Sequence, residues 1–267
     1  MIARGCALLI TIDVHLKYIA RPASSLLLQV EAAQDACQSV VSDLETVTPI
    51  DWTIIAGEEG IGRRRWGRVT GQFECSYQAN VRVTRAAVVL DDMVKTPYAD
   101  MPDDVVKHLM PSRYCHPEAF LEFVPKQFGS MSGGPLIAAM AAWMKTSFTY
   151  DNGVSHAGTT ATDTFAARAG VCRDYAHVLI SMARSVGIPA RIVSCYAPHV
   201  TPQDFHAVAE VFLDGAWQLV DPTGMATAPQ IVRVGVGRDA ADVSFMTSYG
   251  WMDFEQQSVN VSLQTPA

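Results

Sequence analysis

Apolar and polar residues alternate without a break from Ile10 to Tyr18. Ile10, Ile12, Val14, Leu16 and Tyr18 fall on one side, and Thr11, Asp13, His15 and Lys17 on the other. A period of two predicts a half-buried strand. The stretch from Phe73 to Val83 repeats it, with Phe73, Cys75, Tyr77, Ala79, Val81 and Val83 on one face. Shorter apolar runs between the two are broken by Pro49, Gly57, Gly60 and Gly62. Residues 1–95 therefore read as a small all-β domain of sandwich-like character. The basic run "GRRRWGR", Gly62 to Arg68, falls inside it and reads as a solvated loop.

The pattern changes after about residue 90. "TPYADMPDD" is rich in Pro and Asp, as linkers are. Leu136, Ile137, Met140, Trp143 and Met144 then recur at helical spacing. "TTATDTFAARAG" offers Thr and Asp as caps and Gly as a stop for a short helix. In "GVCRDYAHVLISMARSVGIPARIVSCY", Tyr175, Ala176, Leu179, Met182, Ala183 and Val186 form an amphipathic stripe. Beyond Gly187 the chain is strand-like at 190–196, 206–213 and 217–220, and Asp214-Gly215 is a hairpin signal. Helices followed by antiparallel strands predict an α+β domain over 96–267, with its core at 130–224 and further strands at 230–264.

Cys172 stands one turn before Tyr175 and Ala176, at the start of this helix and on its inward face. Unpaired N–H groups and the helix dipole favour an anion there, and so a thiolate. A nucleophile needs a base, and the base an orienting group. Of seven histidines, His177 is the nearest in sequence, but five residues at about 100° each turn it about 140° away from Cys172. It is expected to cap or pack elsewhere; His116 and His156 read as loop candidates, and His199, in the loop "APHVTPQD", as one that lines a cleft. His206 opens "HAVAEVFL", a strand apolar on both faces except at Glu210. If Asp214-Gly215 is a two-residue turn, Leu213 pairs with Ala216, Val208 with Asp221 and His206 with Thr223. Asp221 then lies diagonally from His206, roughly 7–8 Å away between backbones. Cys172, His206 and Asp221 together fit nucleophile, base and orienter. Asp174 points away from Cys172 by helical phase and reads as a cap or ion-pair partner. Trp217 and Tyr175 read as core residues before cleft residues.

Composition narrows the alternatives. The net charge of −7 lacks the basic excess of a nucleic-acid binder. No run of about 18 apolar residues suggests a membrane span. The six cysteines show no framework spacing and read as reduced thiols of a cytoplasmic protein. CxxC, HExxH and GxxxxGK[ST] are all missing, and Cys172, His206 and Asp221 have no compact zinc spacing and no obvious fourth ligand. No cofactor or metal is expected.

The blocks "GVCRDYAH", "GIPARIVSCY" and "DFHAVAEVFLDGAWQLVDPTG" resemble the core of the transglutaminase-like superfamily, most closely its bacterial cysteine-protease branch. "TTATDTFAARAG" and "GVGRDAADVSF" extend the likeness on either side. "HLKYIARPASSLLLQVEA" is similar to the β domain that precedes this core, and "LMPSRYCHPE" to its bridge. The resemblance implies a papain-like α+β fold, a triad at Cys172, His206 and Asp221, and a peptide or protein amide as substrate. It implies no calcium dependence, because no calcium-loop signature is present. Where the His block often carries an aromatic residue, this chain has Val208, a change expected to widen the pocket or alter substrate contacts while removing no triad group.

Overall fold

The computed structural model describes residues 7–264, so Cys6 lies outside the described residues. The alternating segments become two very long strands, β1 (Leu8–Leu28) and β4 (Arg63–Val83). They pair antiparallel over most of their length, with a register shift between Ala20 and Ser24. Their apolar positions are buried as the alternation requires: Ile10, Ile12, Val14 and Leu16 of β1 and Phe73, Cys75 and Tyr77 of β4 are fully enclosed. β2 (Gln38–Val47) and β3 (Thr53–Ala56) pair with β4. β11 (Met246–Tyr249) and β12 (Met252–Leu263) both pair with β1. The result is one six-stranded sheet. The last strands of the chain, expected to extend the second domain, therefore complete the first sheet, and the chain crosses back over the division placed at residue 95.

"GRRRWGR" is the start of β4 and not a solvated loop. Arg65 is 9% exposed and pairs with Glu31 and Glu45, Arg63 pairs with Glu31, and Arg64 pairs with Glu58. The acidic partners come from other segments, which reverses what the basic run suggests when read alone.

The second part contains helices α1 (Asp103–Val106), α2 (Phe123–Phe128), α3 (Gly133–Ser147), α4 (Ala161–Ala167), α5 (Cys172–Ser185) and α6 (Ala240–Val243). A four-stranded sheet follows, in the order β10 (Val232–Gly237), β7 (Ala190–Tyr196), β8 (His206–Leu213), β9 (Ala216–Val220). All its neighbours are antiparallel. β5 (Thr149–Tyr150) and β6 (Ala169–Gly170) make a small parallel pair just ahead of α5. α5 is buried along nearly its whole length between the sheet and α3, packing on Ile192, Ala209 and Val211. The fold class is the expected one: mixed α and β, with a helix that starts at Cys172 laid on an antiparallel sheet.

The two sheets share a core. Tyr196, Val232 and Val234 pack among the inward residues of β1 and β4, and the Tyr196 hydroxyl donates to the Val30 carbonyl at 2.6 Å. Glu210, fully buried, is held by Arg191 and by Arg233. Arg191 in turn pairs with Glu59 from the turn before β4. Buried charges matched in this way fix how the parts meet, since an unmatched one would be strongly destabilising. Among the described residues, no helix is long and apolar enough to cross a membrane.

Candidate active site

The start of α5 is built by three neighbouring residues. Gly170 leaves room for Asp174, because a Cβ at residue 170 would lie 2.9 Å from the Asp174 side chain. The Asp174 carboxylate accepts from the Val171 N–H at 3.0 Å, capping the helix, and from Arg173 at 3.2 Å. This is the cap and ion-pair role its helical phase predicted. Arg173 also donates to Ser155 Oγ at 2.8 Å and to the His156 carbonyl at 2.9 Å, which ties the 151–158 loop to the helix start. Cys172 is the first residue of α5, 8% exposed, with Sγ 4.0 Å from the Phe205 carbonyl. The Tyr150 hydroxyl stands against Cys172. Burial, then the neighbouring thiolate, raises the phenol's pKa, so Tyr150 stays protonated as a donor.

His206 and Asp221 come from β8 and from the residue just after β9. Asp214 and Gly215 both adopt positive φ, as a two-residue type I′ turn demands, and Leu213 pairs with Ala216 as expected. The ladder ends at the Ala209–Val220 pair, so Asp221 is released from the strand and turns toward His206. His206 Nε2 lies 2.9 Å from Asp221 Oδ2, with both side chains almost wholly buried. A carboxylate only accepts, so Nε2 carries the proton of this bond and Nδ1 is left for the thiol. Nδ1 is buried without another hydrogen-bond partner. Burial alone would strip the proton from His206; the Cys172 thiolate and the Asp221 carboxylate outweigh it and lift the imidazole to about 10. Asp221 is held by three further bonds, from Thr223 N (2.9 Å), Thr223 Oγ1 (2.7 Å) and Ala226 N (2.8 Å). Burial opposes its charge, but His206 and Thr223 prevail and keep its pKa low.

Of the other candidates, His156 lines the cleft, its Nδ1 accepting from the Gly158 N–H at 3.0 Å, and the rest fall elsewhere. His177 stacks on Tyr114 at 5.1 Å and accepts from the Ala240 N–H at 3.1 Å; burial, assisted by Arg173 and Arg184, holds its pKa down to about 3. His199 is exposed and stands outside the cleft. His108 is buried between Glu59 and Trp217. Tyr175 packs on Phe148 and Tyr150 as a core residue, whereas Trp217, packed on Phe212 and Arg191, is half-buried; neither lines the cleft. Val208 does not widen the pocket. It points to the opposite face of the sheet, among Val193, Cys195 and Val236, while its neighbours Ala207 and Ala209 face the helix side. Among the described residues, no three His, Cys, Asp or Glu side chains are grouped to hold a metal ion.

Cys172 and His206 line one cleft of about 530 Å³. Its walls come from both sheets: Ile192, Ser194 and Ala207 from β7 and β8, and Gln29, Met246 and Gln257 from the first sheet and the residue after β1. Tyr150, Gln29 and Ser194 carry no motif in the sequence, and only the fold brings them to the thiol. The signal closest at hand was for Tyr150, which lies on the segment that pairs with the residues leading into Cys172.

Residues 129–222 match the family model described as the transglutaminase-like superfamily. A crystal structure from Cytophaga hutchinsonii, named as a "Putative Cysteine Protease", superposes with a TM-score of 0.90 at 27% identity, covering 99% of this chain and 93% of that one. An uncharacterised Mycobacterium leprae protein is 32% identical over 117 residues, 40% of this chain and 42% of its own length. One from Mycobacterium bovis is 30% identical over 159 residues, 53% of this chain and 48% of its own length. The chain thus spans less than half the length of these curated relatives. The matched residues 129–222, which contain Cys172, His206 and Asp221, form a transglutaminase-like superfamily domain.

Proposed function

We propose that the protein is a thiol-dependent amide-bond enzyme in which Cys172 is the nucleophile, His206 the acid and base, and Asp221 the orienter. The observation that carries this reading is the meeting, in one cleft, of a helix-start cysteine with a histidine whose far nitrogen is held by a buried carboxylate at 2.9 Å. Sγ of Cys172 attacks the amide carbonyl carbon, a C–S bond forms, and the carbonyl oxygen becomes an oxyanion. The Cys172 N–H, at the start of α5 where no intrahelical acceptor takes it, donates to that oxygen. His206 Nδ1–H protonates the departing nitrogen, the C–N bond breaks, and a thioester remains. Water, deprotonated by His206, then releases the acid and restores the thiol.

Hydrolysis is favoured over transfer to an amine. Asp204 is the single carboxylate lining the cleft among the described residues, and its Oδ1 is taken by the Phe205 N–H at 2.8 Å and by Gln257 at 2.7 Å, which leaves one exposed oxygen and no cluster of acidic groups to gather an amine in competition with water. The test is a proteome-derived peptide library digested in H₂¹⁸O and read by mass spectrometry. New carboxyl termini carrying ¹⁸O, lost in Cys172→Ala, support hydrolysis. Products joined to an added primary amine would replace water by amine as the acceptor. No turnover of any kind, with a thiol whose alkylation is unchanged by His206→Ala, would refute the enzyme and favour a binding module on the same fold. Turnover confined to acyl-CoA donors would indicate an acyltransferase.

A further inference from the structure

Two buried polar side chains in the cleft lack partners. Gln29 is 2% exposed, and its Oε1 makes no hydrogen bond. The Ser194 hydroxyl is likewise buried and unpaired. Both line the cleft that holds Cys172. They come from different sheets, and the strand register brings them together. Ser194 of β7 is the cross-strand partner of Gly235 in β10. Directly opposed residues project to the same face. A Cβ at Gly235 would lie 2.3 Å from Gln29 Nε2 and 3.4 Å from its Oε1. The Gln29 amide therefore fills the space a side chain at 235 would take, beside the Ser194 hydroxyl. Its backbone is fixed by donation to the Phe245 carbonyl at 2.8 Å.

The surroundings of this pair are apolar. Ala207 is the cross-strand partner of Ser194 on the other side, and Ile192 precedes it by two residues on the same face. Phe245 closes the Gln29 side, stacked on Phe205 at 4.1 Å. Leaving a buried donor or acceptor unpaired costs about 1–3 kcal/mol, and such groups in a native structure call for an explanation. A ligand that supplies the missing partners gains against one that cannot.

We infer that Gln29 and Ser194 form a side-chain subsite for a carboxamide, asparagine or glutamine, at the residue bearing the attacked carbonyl. The substrate NH₂ donates to Gln29 Oε1 and the Ser194 hydroxyl donates to the substrate C=O, while the stem packs between Ile192, Ala207 and Phe245. Reversal of the Gln29 amide exchanges the two roles and leaves the match intact, because the Ser194 hydroxyl both donates and accepts. A charged side chain would be desolvated there without a counter-ion, and an aliphatic one would leave both polar atoms unpaired. This inference rests on the thiol-enzyme reading above.

The test compares peptidyl acyloxymethyl ketones that differ only at the residue next to the ketone: Asn, its near-isostere Leu, Asp and Lys. The rate of Cys172 modification is followed by intact-protein mass spectrometry. The expected result is that Asn reacts at least tenfold faster than Leu, and that Asp and Lys trail both. The Asn-to-Leu ratio should fall toward one in Gln29→Leu and in Ser194→Ala. Gly235→Ala should lower it too, since its methyl displaces only the flexible tip of Gln29; this guards against a folding defect in the other variants. Wild-type alkylation by iodoacetamide, with and without His206→Ala, reports the thiol separately. Slow alkylation unaffected by His206→Ala sinks the thiol-enzyme reading. Fast, His206-dependent alkylation with an Asn-to-Leu ratio near one, or a ratio unchanged in all three variants, overturns the subsite alone.

Discussion

Replacing Asp221 by Asn tests how the imidazole is held. The carboxylate receives four hydrogen bonds, two on each oxygen. An asparagine NH₂ at the Oδ2 position would oppose the Ala226 N–H and force His206 Nε2 to accept. At the Oδ1 position it opposes only the Thr223 N–H, because the Thr223 hydroxyl can turn to accept it. The substituted side chain therefore keeps its oxygen toward His206, and the ring keeps its tautomer; what is lost is the negative charge. A hydrogen bond to a charged group contributes about 1.5–3 kcal/mol against about 0.5–1.5 for a neutral one. A loss of about 1–2 kcal/mol is close to one unit of pKa at about 1.4 kcal/mol each. The His206 midpoint should thus fall by about one unit from its wild-type value of about 10, the thiolate still holding it above the ordinary 6.5. The sign for stability follows. A raised folded-state pKa stabilises fully below the unfolded value of 6.5 and is lost as pH rises through about 10. In Asp221→Asn that loss should be complete at lower pH. Histidine-selective NMR, with His206 assigned by its own substitution, gives the midpoint directly. An unchanged or raised midpoint in Asp221→Asn would refute the claim that the carboxylate acts by stabilising the imidazolium.

Two further predictions concern residues outside the cleft. His177 is neutral in the fold, its pKa held down to about 3; the stability tied to it is complete above 6.5 and declines as pH falls toward 3, by on the order of 5 kcal/mol at the acid end. The melting temperature of His177→Gln, which can still accept from Ala240, should therefore depend less on pH between 6.5 and 4, and parallel profiles would count against burial as the cause. Thr160 caps α4 in a reciprocal arrangement with Asp163; Thr160→Ala should cost about 1 kcal/mol, a drop of about 2–4 °C in melting temperature, without altering the iodoacetamide rate of Cys172.

The local periods were legible because burial acts residue by residue. Ile10 to Tyr18 alternates, and every second residue is buried; the inward stripe of the Cys172 helix is buried at Tyr175, Ala176, Leu179, Met182 and Ala183. The hairpin register was legible because Asp214-Gly215 dictates the turn, and Leu213 accordingly faces Ala216. Its end was not. The ladder stops one pair before Val208 and Asp221, since Asp221 opens a turn in which its backbone carbonyl accepts from the Gly224 N–H at 3.1 Å while its carboxylate accepts from the Thr223 and Ala226 N–H groups. The arginine run was misread because its partners, Glu31 and Glu45, are remote in sequence. The helix before Cys172 ends on Arg168, in the left-handed region, and not at Gly170. Arg168 lies over the rings of Trp143 and Phe165 at 4.6 and 4.1 Å, which favours that placement, while Gly170 serves instead to admit Asp174.

The return of β11 and β12 to the first sheet has the largest consequence for function. Edge pairing between residues about 240 apart leaves no local signature, and a composition-based division at residue 95 cannot anticipate it. Yet this pairing carries Met246 and Gln257 to the cleft, opposite the wall formed by β7 and β8. Gln29 reaches the cleft by the same route, where β1 ends and its backbone bonds to Phe245. A sheet that only braced the nucleophile helix would need no side chains at the thiol, and a detached docking module would share no core with β7 and β10. Tyr196, Val232 and Val234 lie in the same apolar cluster as Ile12 and Phe73. The first sheet is thus both a support and one wall of the candidate active site, and substitutions on that wall should change which substrates enter before they change how Cys172 reacts.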